Sequence, residues 1–583
     1  MIKILKSLNK KDYLIVLVSF MLIIFQVWLD LKLPDYMSEI TRLVQSENAT
    51  VSDIITQGFY MLSCAFGSLI SAIIVGYLTS KLSATLSYKI RERLFKKVNE
   101  FNMEEMKNFK TSSLITRTTN DITNITMFFS MGLQLIIKAP ITAIWAILKI
   151  LNKNFTWSML TGGAVLILIT MVVVLIITVL PKFKVVQKLI DNINNVAREN
   201  LTGIRVIRAF NAEDFQTTKF EDANDNLTKT QMFTQKMMSI ISPVMYLVMN
   251  MLTILIYFVG AYLIENALLA DKINLFSDMV VFSSYAMQVI MSFLMLAVIF
   301  IMYPRTSVSI SRINEVLDTD VKVKDGTFDS DTKELGVVEF RNVSFKYPDS
   351  EEYVLKDISF KTKLGETIAF IGSTGSGKST LINLIPRFYD ATEGEILVDG
   401  IPIKDYKLDR LHSKMGYVSQ KAVLFNGTVK YNVCYGLDSK EEKLEDAIKV
   451  SQASEFISKM TDKTDSMISQ GGTNISGGQK QRISIARAIC KDPEFYIFDD
   501  SFSALDYKTD YLLRHELSKY AKDATVFIVA QRIGTIMNAD KIIVLDNGNV
   551  VGSGTHKELL KNCSVYKEIA YSQLSKEELE NEG

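Results

Sequence analysis

Six apolar runs, all before residue 303, constrain this chain more than any other feature. They lie near 13–33, 54–78, 126–148, 157–180, 238–264 and 275–302, and each is long enough to cross a bilayer. Inside the hydrocarbon layer every backbone N–H and C=O must be satisfied by protein, and a continuous helix does this within one segment. The first half is therefore expected to be an α-helical bundle of six spans. Ser and Gly interrupt the second run, as in membrane helices that pack closely. The first run is expected to stay in the chain, because no small-residue cleavage site follows it.

The links between the runs alternate in length. Short links join runs one and two, three and four, and five and six. Long charged segments, near 79–125 and 181–237, join the others. These are too polar for lipid but keep helical periodicity, so they are expected to carry the spans well beyond the membrane. The 583 residues have a net charge of +1 and are 48% hydrophobic. The apolar excess ends near 303, and ordinary soluble composition begins near 335. The expected division is a membrane domain over 1–320, a linker over 321–336 and a soluble domain over 337–583. Cys64, Cys434, Cys490 and Cys563 show no metal spacing and suggest no disulfide framework. His412, His515 and His556 lie near no other ligand type and read as ordinary surface or packing residues.

The soluble part carries a phosphate-binding loop at Gly372-Ser373-Thr374-Gly375-Ser376-Gly377-Lys378-Ser379, with Thr380 following. An apolar run, Thr367–Ile371, precedes it and Thr380–Ile385 follows, so the context is strand, glycine loop, helix. The glycines let backbone N–H groups wrap phosphates, and the helix start adds a favourable field. Lys378 is expected to reach the β- and γ-phosphates of ATP, and Ser379 to help hold Mg²⁺.

The rest of the set resembles the ATPase domain of ABC transporters. Ile475-Ser476-Gly477-Gly478-Gln479 is similar to the family signature, whose first residue is usually Leu. Phe495-Tyr496-Ile497-Phe498-Asp499 resembles the Walker B strand, which ends in the Mg²⁺-associated carboxylate. Ser503-Ala504-Leu505-Asp506 resembles the D-loop. Gln420 matches the Q-loop, which reaches the metal and the attacking water, and Tyr347 the aromatic that stacks on adenine. The resemblance implies an α/β P-loop domain with an α-helical subdomain. With the six spans, the whole chain resembles an ABC exporter half-transporter. Leu114-Ile115-Thr116-Arg117 with Asn120-Asp121 resembles the stretch entering the third span of such exporters. Glu199 with Gly203–Phe210 resembles the stretch around their second coupling helix.

An ATPase domain must face cytosolic ATP, so an even number of spans places the N-terminus on the same side. Lys3, Lys6, Lys10 and Lys11, then Lys89, Arg91, Arg93, Lys96 and Lys97, agree with the positive-inside rule. The opposite link is expected to be an acidic loop, with Asp35, Glu39, Glu47 and Asp53. Lys149 and Lys153 run against the rule. The expected location is the plasma membrane, with the bilayer itself as a partner and no nucleic acid.

Two residues depart from the family pattern. The residue after the Walker B Asp is usually Glu and polarises the attacking water; here it is Asp500. The switch residue is usually His; here it is Gln531. Asp is one methylene shorter than Glu, a base must lie within hydrogen-bond reach of its water, and an error near 1 Å costs roughly a hundredfold. Gln cannot become a cation. The expectation is a site that binds Mg-ATP and hydrolyses it slowly. In the family each ATP lies between one chain's loop and the other chain's signature. The nearly intact signature here can therefore complete a competent site on a related partner, and a heterodimeric multidrug-type exporter is expected. Alternatives are a dedicated lipid or peptide exporter, and an ATP-gated regulatory or channel subunit.

The cargo is expected to be a hydrophobic or amphipathic small molecule. Lys138 stands mid-way along the third run, near Pro140, and an intramembrane cation is costly enough to suggest function. The plainer reading is a lysine that snorkels or faces a wet cavity. Met245, Met249, Met287, Met291 and Met295 suit an adaptable cavity, or equally lipid-facing and core filler.

Overall fold

The computed structural model describes residues 9–46, 49–151, 155–437 and 441–574. The chain forms two compact units. One runs through Asn99 and resumes over Lys110–Thr319; the other comprises Glu100–Phe109 and the chain from Asp320 onward.

Helices build the first unit: α1 (Lys10–Gln45), α2 (Val51–Asn99), α4 (Thr111–Leu151), α5 (Phe155–Ala209), α6 (Glu213–Ser239), α7 (Ile241–Glu265) and α8 (Leu269–Leu317). The short α3 (Met103–Asn108) belongs to the second unit. With α6 and α7 taken as one continuous segment, six helices among the described residues are long and apolar enough to cross a membrane. The helices outrun the apolar runs, as the charged segments imply. α5 has 55 residues and is on the order of 80 Å long, at 1.5 Å per residue.

The first unit's core gathers Ile23, Val27, Val75, Trp157, Phe282 and Tyr285, all essentially inaccessible. Gly260 permits a close helix approach, since a Cβ there would lie 2.3 Å from Met279 Sδ. Large apolar side chains such as Leu17, Phe66, Ile73, Leu166 and Phe258 point outward, as lipid-facing residues do. Of the methionines considered for a cavity, Met245 is buried, Met249 and Met295 are partly buried, and Met287 and Met291 are exposed. α4 contains two π-turns, Arg117–Asp121 and Phe128–Gly132. Such turns mark functional positions more often than ordinary helix does. At the first, Arg117 Nη1 donates to the Arg312 carbonyl at 2.7 Å, and Asp121 Oδ1 accepts from Ser309 Oγ at 2.7 Å. The Leu114–Asp121 stretch therefore ties α4 to α8. Glu199 joins α5 to α6 through Lys219 at 2.8 Å.

The expected acidic loop is not a loop. Asp35 and Glu39 lie inside α1, which continues to Gln45 past its apolar run, and Asp53 lies in the first turn of α2. The carboxylates are spent on structure: Asp35 Oδ2 is 2.7 Å from Lys149 Nζ, and its Oδ1 accepts from the Tyr285 hydroxyl at 2.5 Å. Lys149, which runs against the positive-inside rule, is thus locally neutralised. Lys3, Lys6, Glu47 and Lys153 lie outside the described residues.

The second unit is α/β. One sheet is antiparallel, ordered β2-β1-β4-β5 (Leu355–Lys361, Val338–Phe345, Glu393–Val398, Ile401–Pro402). The other is ordered β12-β11-β3-β10-β9-β6. In it β6 (Met415–Val418), β9 (Phe495–Asp499), β10 (Thr525–Val529), β3 (Thr367–Gly372) and β11 (Lys541–Asp546) are parallel. Only β12 (Asn549–Gly554) runs antiparallel. β9 and β10 are buried along their whole length, which explains their unbroken apolar sequences. The small pair β7 (Gly427–Thr428) and β8 (Met467–Ile468) stands with short helices between β6 and β9. No disulfide forms among the described residues, and Cys434 and Cys490 bring their sulfurs to 3.5 Å.

Candidate active site

In open parallel sheets, ligands bind beyond the carboxyl ends of the strands. Four adjacent parallel strands deliver the expected site residues there. β3 runs into the loop at Gly372, β9 ends at Asp499, β10 is followed by Gln531 and β6 by Gln420.

The loop turns on glycines that no other residue replaces without strain. Gly375 and Gly377 have φ of 85° and 97°. A Cβ on Gly372 would lie 2.0 Å from the Leu545 carbonyl oxygen, so β11 closes the loop from behind. α9 (Lys378–Leu384) starts directly after Gly377. Lys378 is buried, and its Nζ donates to the carbonyls of Gly372 (2.8 Å) and Ser373 (2.7 Å). Burial pulls its ammonium below its ordinary value, while the charges of Asp500 and Asp499 oppose that shift.

Ser379 Oγ donates to Asp499 Oδ1 at 2.8 Å. Burial pushes the Asp499 carboxyl above the usual carboxylate range, with the Ser379 hydroxyl working against it. Among the described residues no cluster of three His, Cys, Asp or Glu could hold a metal alone. Mg²⁺ in nucleotide sites needs only one or two protein oxygens beside phosphate and water. The Ser379–Asp499 pair therefore fits it.

Asp500 follows in a left-handed conformation, φ 47°, and is buried. Its Oδ2 accepts from both side-chain amides: Gln420 Nε2 at 3.1 Å and Gln531 Nε2 at 2.8 Å. Of the three residues expected to act on the attacking water, Gln420 and Gln531 thus both contact Asp500, through one carboxylate oxygen. Gln531 is fixed further, since its carbonyl accepts from Gln573 Nε2 at 2.7 Å.

Tyr347 hydrogen-bonds to Thr380 Oγ1 through its hydroxyl at 3.0 Å, and its ring meets Tyr389 edge-on. A residue absent from the sequence reading joins it. Lys107 of α3 holds its Nζ 5.8 Å from the Tyr347 ring centre and pairs with Asp349 at 2.7 Å. Nothing local in the sequence marks Lys107; only the packing of Glu100–Phe109 in this unit reveals it.

The signature is at the surface, away from these contacts. Ser476 caps α10 (Gly477–Lys491) with a reciprocal pair: Ser476 Oγ accepts from the Gln479 amide at 3.3 Å, and Gln479 Oε1 from the Ser476 amide at 2.9 Å. Ile475 anchors the turn on the apolar core, and Gly477 has open space around its Cα. A Cβ on Gly478 would come within 3.2 Å of the Ala504 carbonyl, which brings the D-loop beside the signature. No hydrogen bond among the described residues joins 475–479 to 372–379. One chain thus presents a loop and a signature as separate surfaces.

A phosphate loop with a carboxylate pair at the carboxyl end of a parallel sheet, in a chain that also carries six helices able to cross a membrane among its described residues, defines a membrane-bound ATPase. Comparison with known proteins gives the family. Residues 14–315 match the ABC transporter transmembrane region, and 355–503 match the ABC transporter domain. An uncharacterized ABC transporter ATP-binding protein of Mycobacterium tuberculosis is 36% identical, over 89% of each chain. The ATP-dependent lipid A-core flippase of Pseudomonas aeruginosa is 31% identical, over 85% of this chain and 81% of that one. The fold is shared with a bacterial Atm1-family ABC exporter solved with ATP bound, at a TM-score of 0.82 and 22% identity, over 96% of this chain and 99% of that one. The chain belongs to the ABC transporter family: it is an exporter half-transporter, an ABC-type transport ATPase with its own membrane domain.

Proposed function

We propose that this chain is one half of a heterodimeric exporter and that the ATP site on its own phosphate loop is the slow one. The contact of Gln420 and Gln531 with the single oxygen Asp500 Oδ2 carries the reading. A base must offer a lone pair to the water it activates. This carboxylate is one methylene short, and two amides already occupy one of its two oxygens. Gln531 supplies no positive charge toward a γ-phosphate. The loop, Lys378 and the Ser379–Asp499 pair keep what Mg-ATP binding needs, with Mg²⁺ held by Ser379 and Asp499. Tyr347 offers its ring to adenine.

The separate, well-capped signature supports the second half of the reading. Ser476 and Gly477 are exposed and no hydrogen bond among the described residues ties Ile475–Gln479 to its own loop, which leaves the segment free to cap ATP held by a related chain. A homodimer would hold two slow sites. The test is direct. Purified alone, the chain turns over ATP slowly; co-purified with a second half-transporter carrying Glu and His at the equivalent places, it forms a 1:1 complex with a turnover about 10²-fold higher or more. Brisk turnover by the chain alone sinks the reading.

The cargo we assign is an amphipathic small molecule. A lipid among such cargoes is favoured by the relative in Pseudomonas aeruginosa, which is named a lipid A-core flippase. Moving fluorescent amphiphiles across a vesicle membrane in an ATP-dependent way tests it.

A further inference from the structure

A charged cluster joins four helices of the membrane unit. Lys138 Nζ on α4 is 3.1 Å from Asp30 Oδ2 on α1. Ser68 Oγ on α2 donates to Asp30 Oδ1 at 2.5 Å, and Gln288 Nε2 on α8 donates to the Asp30 carbonyl at 3.3 Å. Gln26 is one turn before Asp30 on the same face of α1, and Thr142 one turn after Lys138 on α4. Gln26 Oε1, Gln288 Oε1 and Thr142 Oγ1 are buried and make no hydrogen bond among the described residues. The ion pair itself is not sealed: 18% of the Lys138 side chain and 27% of the Asp30 side chain are accessible.

A purely structural ion pair has no use for such surroundings. Buried polar atoms without partners cost stability, and each calls for an explanation. Here three belong to residues that hydrogen-bond to, or lie one helical turn from, one accessible pair of opposite charges. The Gln288 amide nitrogen faces a carbonyl, so the oxygen left over is an acceptor.

We propose that this cluster recognises the exported amphiphile by a zwitterionic head. Its anionic group pairs with Lys138, and its ammonium pairs with Asp30 and donates to the oxygens of Gln26 and Gln288. The physical reason lies in the ion pair. Parting Lys138 from Asp30 strands two charges in low-dielectric surroundings, and a stranded buried charge is strongly unfavourable. A singly charged head compensates one and leaves the other. An uncharged head compensates neither. A zwitterion replaces both halves and fills the empty acceptors as well. The assignment rests on the reading that the cargo is an amphiphile, and is independent of the heterodimer.

The test uses the full-length chain in liposomes as the ATP-hydrolysing dimer it forms, whether with itself or with a related chain. Three lipids with the same labelled tail are compared: a zwitterionic phosphatidylethanolamine, an anionic phosphatidylglycerol and a cationic trimethylammonium lipid. The zwitterion is expected to be moved about tenfold faster than either, the worth of one charge-assisted hydrogen bond. Lys138→Gln should shift preference toward the cationic probe and Asp30→Asn toward the anionic one. The neutral double change Asp30→Asn/Lys138→Gln strands no charge, so it keeps the comparison usable if a single change fails to fold; it should move all three heads alike. Opposite shifts are not what a structural pair would produce. Equal movement of the three heads by the unmodified protein, or a retained preference in the double variant, overturns the head-group assignment alone. Movement of none, with ATP turnover intact, overturns the amphiphile reading and this one with it.

Discussion

Two lysines, one in each unit, show how differently the two halves of the molecule hold a charge. Lys378 is buried at the start of α9 and rests on the backbone carbonyls of Gly372 and Ser373. Lys138 is among membrane helices and rests on the carboxylate of Asp30. Carbonyl dipoles satisfy an ammonium without neutralising it, so Lys378 stays charged and attractive to a polyanion that enters the loop. A carboxylate neutralises its partner, so Lys138 gives up Asp30 only to something that takes over both roles. One arrangement accepts phosphate by adding charge; the other accepts a ligand by exchange.

The largest effect that could break this comparison is at the signature. Gly477→Asp puts a carboxylate where a partner-held γ-phosphate is expected, and should lower ATP turnover of the complex by about a hundredfold. Lys378→Ala should weaken labelled-nucleotide binding at this chain's loop while most turnover of the complex survives. If Lys378→Ala abolished turnover and Gly477→Asp were silent, the roles of the two surfaces would be reversed.

Thermal unfolding sharpens the contrast next. Lys138→Ala leaves Asp30 partly buried and uncompensated. Breaking a fully buried pair costs about 3–5 kcal/mol; with over a quarter of the Asp30 side chain accessible, a loss of about 1–2 kcal/mol is expected. Lys378→Ala strands the Gly372 and Ser373 carbonyls and takes a cation away from Asp499 and Asp500, but it also removes a cation that burial disfavours, so its melting temperature should change less. A larger drop for Lys378→Ala would contradict the distinction.

A smaller gain is expected from Asp500→Glu with Gln531→His, measured with the partner's catalytic Glu disabled so that only this chain's loop turns over. Residual hydrolysis should rise several-fold, well under the roughly 10²–10⁴-fold a positioned base contributes, because the facing signature belongs to another chain. Either change alone should do little, since both side chains share Asp500 Oδ2 in the unaltered protein. No rise in the double variant, with nucleotide binding intact, would place the weakness elsewhere. The smallest effect is at Lys107. Lys107→Ala removes a cation from the Tyr347 ring, worth about 0.5–1 kcal/mol at an exposed site, and should change nucleotide affinity by roughly two- to fivefold in a binding titration. An unchanged affinity would separate Lys107 from the base-binding aromatic.

Legibility in the sequence followed the range over which each feature is determined. The apolar runs and the strands Thr367–Gly372 and Phe495–Asp499 are local, and the structure has them where the pattern places them. The residues at the strand ends could be named singly from motifs. Their convergence could not: Gln420 and Asp500 are 80 positions apart, and only the order of parallel strands brings them to 3.1 Å. In the membrane half, hydropathy identifies spans and says nothing of register. Lys138 reads as an isolated oddity, and Asp30 within the first run emerges as its partner only when α1 and α4 pack. Asp35 was expected in a loop because composition alone cannot tell that a helix continues past its apolar stretch.

The chain crosses between its two units three times, after Asn99, after Phe109 and after Thr319. Ten residues from the first half are therefore part of the second. They are built in firmly: Phe101 and Phe109 stack on one another and are buried, and Glu105 accepts the Lys322 backbone amide at 2.8 Å. A fragment cut to begin at residue 320 would not be the ATPase unit but that unit with a piece missing, its Lys322 amide and the apolar seat of two aromatic rings laid open to water. Studies of the soluble half in isolation should carry the Glu100–Phe109 segment along, as a fused or added peptide, or they will measure a different object.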